Sequence, residues 1–257
     1  MAIYCITNQK GGVGKSTTCA SLGAALTEKG KKVLLVDLDP QAGLTTLLGF
    51  NPDSFETTIY NALLYPEKQI IKEIIKKTKV DNLYFTPSNL DLSGAEGELL
   101  GEIGWDRNLK EALSPILNDF DFVLIDCPPS LGVLTTNALM AAERVIIPVQ
   151  TEYLSFRSLK QLNTIISKVK AKGNPDLKEK VLRTMHNTRT IHSRETSEEL
   201  EKLFKGKIYK TLVKRTIKFA DSALAGEPIL VFARKSDGAL AYRELAEEII
   251  HEQKTNH

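Results

Sequence analysis

The chain has 257 residues, 42% hydrophobic and 26% charged, with a formal net charge of +2. That size and apolar content support a full α/β core and exclude a disordered or fibrous chain, while the near-neutral balance leaves the choice of partners open. The three cysteines (Cys5, Cys19, Cys127) are far apart and form no CxxC pair, which reads as buried thiols in a reducing compartment.

The first predicted strand is the apolar, β-branched run from Ala2 to Thr7. It starts too early to leave room for a secretory leader, and no apolar run approaches the ~18 residues of a membrane span, so a cytoplasmic location without a membrane partner is expected. Next comes Asn8-Gln9-Lys10-Gly11-Gly12-Val13-Gly14-Lys15-Ser16-Thr17, followed by an Ala/Leu-rich helix over Ser16–Lys29 with Gly30 as its C-cap. A glycine-rich loop between a strand and a helix is a phosphate cradle: backbone N–H groups converge on it, and glycine lets the chain curl close without Cβ clashes. In this pattern Lys15 reaches the β- and γ-phosphates and the Ser16 hydroxyl ligates Mg²⁺. Two features are unusual. Gln9 stands where the pattern places its leading glycine, and Lys10 adds a second lysine at the front of the loop.

The second strand, Lys32–Leu38, ends in Asp37-Leu38-Asp39 and breaks at Pro40. Side chains two apart on a strand point the same way, so both carboxylates can reach the phosphate pocket, where Mg²⁺ would relieve their repulsion. Gln69–Lys77 has an apolar stripe and a basic face and predicts a packed helix. A strand over Asn82–Pro87 and a helix over Arg107–Leu117 follow. The continuous apolar strand Phe122–Cys127 then delivers Asp126 to the Mg²⁺ shell, and Pro128-Pro129 stops it. Further strands are predicted over Val145–Val149, Val181–His186 and Ile208–Val213, with helices over Ser155–Lys172 and Glu195–Phe204 and a surface turn at Gly173-Asn174-Pro175-Asp176. The alternation predicts an α/β fold, a mostly parallel, doubly wound sheet flanked by helices. Ligands in such sheets bind at the carboxyl ends of the strands, where the loop lies.

These motifs resemble those of ParA/Soj-type partition ATPases, a P-loop class that includes MinD and the nitrogenase iron protein. The residues that carry the likeness are Lys10 to Thr17, Val36 to Gln41, Ile125 to Gly132, Asn137-Ala138-Leu139, Ile147 to Gln150, Thr184-Met185 with Arg189-Thr190, and Gly238-Ala239 to Ala246-Glu247. They run through nearly the whole chain in order. Longer plasmid members carry an N-terminal helix-turn-helix. With the loop at residue 10, the expectation is a single ATPase domain over residues 1–257 without that extension.

The resemblance implies ATP and Mg²⁺ as cofactors and a homodimer that sandwiches two nucleotides. Lys10 would cross to the phosphates of the other subunit, as an arginine finger does, and Gly12 would stay small so that the two loops can approach. Lys10, Gly11, Gly12, Val13, Gly14, Lys15, Ser16 and Thr17 would hold the nucleotide. Lys10, Lys15 and Asp39 would be catalytic, with Asp39 orienting water. Ser16, Asp37, Asp39 and Asp126 would surround the metal. Asn187 stands where the class reads adenine, although Met185-His186-Asn187-Thr188-Arg189 departs from the commoner pattern.

Residues 178–218 carry twelve Lys or Arg against five Glu and no Asp, a surplus of about +7 that predicts contact with DNA phosphates. Aromatic side chains are few there, which favours duplex over stacked single strands. Arg189, Lys214, Arg215 and Lys218 match or adjoin family positions for sequence-independent DNA binding. The expected function is a weak, partner-stimulated ATPase switch that coats the nucleoid and partitions plasmids or chromosomes with a ParB-like centromere-binding protein. Alternatives are positioning of a protein cargo or organelle, or a MinD-like membrane-associated positioner. The membrane alternative calls for a basic amphipathic tail; the run from Leu240 to Asn256 instead carries Glu244, Glu247, Glu248 and Glu252 and reads as a helix packed on the domain. An iron–sulfur reductase would need paired cysteines, and a metabolic kinase or synthetase a dedicated substrate constellation, neither of which the chain displays.

Overall fold

The computed structural model describes residues 1–151, 156–186 and 191–255, apart from the side chains of 156 and 191–194. Eight strands form one sheet: β1 (Ala2–Ile6), β2 (Val33–Asp37), β3 (Lys76–Lys77), β4 (Leu83–Thr86), β5 (Phe122–Asp126), β6 (Arg144–Gln150), β7 (Lys178–His186) and β8 (Ile208–Lys214). Their spatial order is β3-β4-β2-β5-β1-β6-β7-β8, and every pairing is parallel except β3 with β4. The central strands β2, β1 and β5 are buried throughout, as a parallel sheet covered on both faces requires.

Alternation along the strands divides the interior into two cores. Ile3, Cys5, Leu34, Val36, Val123 and Ile125 face one side. Ala2, Tyr4, Ile6, Val33, Leu35, Phe122 and Leu124 face the other. The first face is covered by α3 (Ile59–Leu64), α4 (Ile71–Ile74), α5 (Leu92–Leu99), α6 (Asn108–Leu113), α7 (Val133–Ala141), α8 (Phe156–Lys172) and α9 (Ile191–Phe204). The second is covered by α1 (Lys15–Glu28), α2 (Gly43–Leu47), α11 (Ile229–Phe232) and α12 (Asp237–Thr255), with α10 (Lys218–Leu224) packed at its margin through Phe219 and Ala223. Helix α1 is buried almost all round. A side chain at its Gly23 would collide with Leu35, so the small residue lets the helix press on β2. It ends as predicted: Gly30 has φ +75°, Lys31 N–H bonds to the Leu26 carbonyl and Gly30 N–H to that of Thr27, the paired bonds of a Schellman cap.

Two predicted helices are rearranged. Gln69–Lys77 yields only α4, after which Ile75 turns extended and Lys76–Lys77 pair with Tyr84 and Phe85 as the antiparallel edge strand. Gln69 itself takes φ +54° after the 3₁₀ turn of Pro66–Lys68, which fixes the late start. The apolar stripe still packs: Ile71 and Ile74 are buried. Arg107–Leu117 is also divided, into a 3₁₀ turn at Trp105–Arg107, α6, and a 3₁₀ stretch over Ser114–Asp119 begun by Pro115, whose ring cannot continue an α-helix. The strands and remaining helices match the expected order to within a few residues.

Backbone meets backbone where the turn after α2 crosses the turn after α10. A Cβ built on Gly226 (φ +66°) would lie 2.6 Å from the Gly49 Cα, and one on Gly49 (φ +85°) 2.9 Å from the Gly226 carbonyl oxygen. Neither neighbour is a flexible side-chain end. Gly226→Ala is therefore expected to destabilise the fold by roughly 1–3 kcal/mol in urea denaturation. Gly97→Ala, on an exposed turn of α5 where a Cβ meets nothing within 4 Å, should gain about 0.5–1 kcal/mol.

Candidate functional site

The site is assembled at the carboxyl ends of β1, β2 and β5. In register, Ile6 pairs with Asp126 and Asp126 with Asp37, so the loop after β1 and the two carboxylates share one level of the sheet. Residues 7–14 form the loop. Thr7 N–H bonds to the Ile146 carbonyl, Asn8 Nδ2 donates to the Pro148 carbonyl at 2.7 Å, and the Val13 carbonyl accepts from the Thr184 hydroxyl at 2.9 Å. Gly12 and Gly14 take φ +71° and +89°, and a Cβ on Gly11, Gly12 or Gly14 would project into open space. The concavity thus faces away from the protein, with α1 starting at Lys15 directly behind it. Lys15 is 8% exposed, Ser16 and Thr17 are half-buried, and Val13 is buried as the loop's inner anchor.

Lys10 stands at the loop's front. Its Nζ donates to Gln150 Oε1 at 3.2 Å, its backbone N–H bonds to Asn8 Oδ1 at 3.0 Å, and partial burial lowers its pKa. Asn8 and Gln150 were not singled out as site residues from sequence. Asn8 stands just past β1, and Gln150 closes the Ile147–Gln150 run that carries part of the family likeness, at the end of the adjoining β6.

The two buried aspartates have different surroundings. Asp37 accepts from Thr45 N–H at 2.8 Å, from the Thr45 hydroxyl at 2.7 Å and from Asp39 N–H at 3.2 Å. Burial raises its pKa from 3.8 to about 7 against those bonds. Neither oxygen of Asp126 has a well-formed hydrogen bond. Burial and then the Asp37 charge push its pKa well above the ordinary value, with the Ser16 hydroxyl and Lys15 as partial counterweights. Asp39, half-buried, accepts from Gln41 N–H at 3.0 Å through its side chain, and its carbonyl takes the Ser88 hydroxyl at 2.8 Å. The loop after Asp39 closes over Ser16: a Cβ on Gly43 would touch the Ser16 hydroxyl at 3.3 Å.

This arrangement suits a hard divalent cation beside a polyphosphate. A fully buried carboxylate next to a serine hydroxyl, with no well-formed hydrogen bond to either oxygen and Lys15 as a partial counterweight, is left under-compensated. Among the described residues no cluster of three or more His, Cys, Asp or Glu could cage a metal alone. A cation here would take its remaining ligands from phosphate and water, as Mg²⁺ does.

The structure brings Lys10, the glycine loop, Lys15, Ser16, Asp37, Asp39 and Asp126 together. Asn187 and Arg189 lie outside the described residues. Lys214, Arg215 and Lys218 are exposed at the end of β8 and the start of α10, on the same edge of the sheet as the loop, and Lys214 pairs with Asp237 at 3.2 Å. The basic run 178–218 is divided by the fold. Lys178, Lys180 and Lys207 lie at the opposite, amino ends of β7 and β8. There Glu179 pairs with Lys170 and Lys207, and Glu252 with Arg144 and Lys180.

The AAA domain family model matches residues 1–179. The chain is 44% identical over 248 residues to the sporulation initiation inhibitor protein Soj of Bacillus subtilis, covering 96% of this chain and 97% of that one. It is 41% identical over 249 residues to the chromosome partitioning protein ParA of Myxococcus xanthus, covering 96% and 87%. The chain belongs to the ParA/Soj-type family of partition ATPases. A Mycobacterium smegmatis structure described as cobyrinic acid a,c-diamide synthase superposes with a TM-score of 0.87 at 40% identity, over 100% of this chain and 96% of that one. That protein was also solved with an ATP analog and magnesium, and with ADP and magnesium. No helix among the described residues of this ParA/Soj-type chain is long and apolar enough to cross a membrane.

The carboxylate pair gives the nucleotide-free protein a pH signature. Because Asp37 has a raised folded-state pKa, the native state keeps a proton that the unfolded chain releases between pH 3.8 and about 7. Its stabilising contribution is complete below that window, falls as pH rises through it, and is level above. Urea denaturation should therefore find lower stability at pH 8 than at pH 5, by on the order of a few kcal/mol. Asp126→Asn, which replaces a buried ionisable group that has no well-formed hydrogen bond with a neutral amide, should raise stability at pH 8 by roughly 1–3 kcal/mol, while weakening Mg²⁺-dependent nucleotide binding.

Proposed function

We propose that the chain is an ATP-dependent dimerising switch that binds duplex DNA without sequence preference and partitions plasmids or chromosomes, hydrolysing ATP when a ParB-like partner stimulates it. The observation that carries this reading is the convergence of an open glycine cradle, two lysines and an orphaned buried carboxylate in a chain so similar to Soj along its length. The ATP analog and magnesium of the Mycobacterium structure support the choice of ligand.

Mg²⁺-ATP, when bound, supplies the anhydride to be cleaved and the cation that shields its charge. The backbone amides of residues 11–17 and the Lys15 ammonium hold the phosphates. Ser16 and Asp126 would hold the cation. Asp37 shapes the loop that carries Asp39, and Asp39 orients the attacking water. Lys10 reaches the partner subunit's nucleotide, leaving the neutral amide of Gln150 for phosphate charge, a stronger partner. Lys214, Arg215 and Lys218 contact DNA phosphates, with Arg189 as a further candidate, and Asn187 is a candidate adenine reader. The protein acts in the cytoplasm on the nucleoid, and residues 1–257 work as one ATPase unit.

The MinD-like alternative is disfavoured by α12. Its Ala239, Ala241, Tyr242, Leu245, Ala246 and Ile249 are buried against the domain, which leaves its apolar face no membrane to bind. Positioning of a protein cargo uses the same switch and differs only in what the partner carries.

Three variants separate the roles at the nucleotide site. Lys15→Ala should lose nucleotide affinity by at least about tenfold. Lys10→Ala should bind ATP as a monomer almost normally, yet fail to dimerise productively, with turnover down by roughly 10²-fold or more. Asp39→Ala should bind and dimerise but not turn over. Fluorescent-nucleotide titration, size-exclusion chromatography and phosphate release distinguish these outcomes, and equal defects in Lys10→Ala and Lys15→Ala would overturn the division of labour.

DNA binding should require ATP rather than ADP and weaken steeply with salt. Lys218→Ala should weaken binding to unrelated duplexes alike and lower the salt slope by about one, as read by anisotropy of labelled DNA across a KCl series.

A further inference from the structure

We propose that Thr45 is a positioning residue for ATP hydrolysis: with Ser88 it locks Asp37 and the Asp39 loop into one unit. The inference deepens the ATPase reading and rests on it. Four residues close a ring of hydrogen bonds. The Thr45 hydroxyl donates to Asp37 Oδ2 at 2.7 Å, and Thr45 Oγ1 accepts from Ser88 N–H at 3.2 Å. The Ser88 hydroxyl donates to the Asp39 carbonyl at 2.8 Å, and Asp39 N–H returns to Asp37 Oδ1 at 3.2 Å. Thr45, Ser88 and Asp37 are each 0% exposed.

Burial alone does not account for this use of Thr45. A threonine on a short helix ordinarily turns its hydroxyl back to its own helix, as Thr46 does to the Ala42 carbonyl. Thr45 instead spends both its donor and its acceptor on groups from two other strand ends, β2 and β4. The loop so held is strained: Ala42, a residue with a Cβ, sits at φ 51° just before α2, a conformation that persists only where the surroundings impose it. The same loop places Gly43 against the Ser16 hydroxyl. The ring therefore fixes how Asp39 and Ser16 stand relative to each other without touching the nucleotide itself.

Thr45→Val keeps shape and volume while removing both hydroxyl bonds, and Thr45→Ser keeps both bonds while removing the methyl group. In Thr45→Val, ATP turnover should fall about 10–100-fold and the Mg²⁺ needed for half-maximal turnover should rise, while affinity for a fluorescent ATP analogue changes less than about threefold. Thr45→Ser should recover most of the turnover. Amide hydrogen exchange in the nucleotide-free protein gives a readout independent of activity: protection over residues 38–44 should drop in Thr45→Val and Ser88→Ala and persist in Thr45→Ser, with core strands β1 and β5 still protected. Unchanged exchange in both Thr45→Val and Ser88→Ala, or a Thr45→Ser variant as impaired as Thr45→Val, would overturn the proposal. Absence of ATP hydrolysis by the unmodified protein would count instead against the functional reading, and the exchange data would still decide whether the ring holds the loop.

Discussion

The molecule is organised around two carboxylates that a stable protein would not ordinarily place together. Asp37 and Asp126 end neighbouring parallel strands at the same register, both fully buried. Strands in a sheet lie about 4.8 Å apart, so each charge is felt by the other in a medium that shields it poorly. The surroundings answer with unequal compensation. Asp37 has three donors from the loop that follows it, and Asp126 has no well-formed bond. That inequality leaves Asp126 as the member of the pair whose buried oxygens are unsatisfied. The glycine loop, the placement of Ser16 and the closure of the segment after Asp39 all bear on the space beside Asp126.

Much of this was legible from residue order. The glycine run, the aspartates at strand ends and the prolines that stop those strands are local signals, and local chemistry sets them. Alternating burial along β1, β2 and β5 likewise follows from apolar runs covered on both faces. The rest is long-range. Thr45 and Ser88 are 43 positions apart and acquire their roles only when β4 pairs with β2. Gln150 meets Lys10 across 140 positions because β6 lies beside β1. Gln69–Lys77 reads as a helix because its isoleucines have helical spacing, yet sheet-edge pairing with β4 claims its last two lysines. Tertiary pairing prevails over local propensity there, as it commonly does at an edge.

The basic segment illustrates a related limit. Charge counted along a chain takes no account of direction, and a strand places its two ends about 3.3 Å per residue apart. β7 and β8 therefore carry some lysines to the nucleotide edge and others to the opposite one, where Glu179 and Glu252 each hold two cations and clamp α8 and α12 to the sheet. Among the described residues, Lys214, Arg215 and Lys218 share an edge with the glycine loop.

The crossing of Gly49 and Gly226 has a mechanical consequence. Gly49 ends the segment that starts at Asp39, and Gly226 ends the one that starts at Lys218. Where two backbones touch with no side chain between them, there is no rotamer to absorb a displacement, and close-packed interiors transmit strain rather than dissipate it. The contact leaves the two turns no slack: the segment that follows Asp39 and the helix that begins at Lys218 keep their relative place only while both positions lack a side chain.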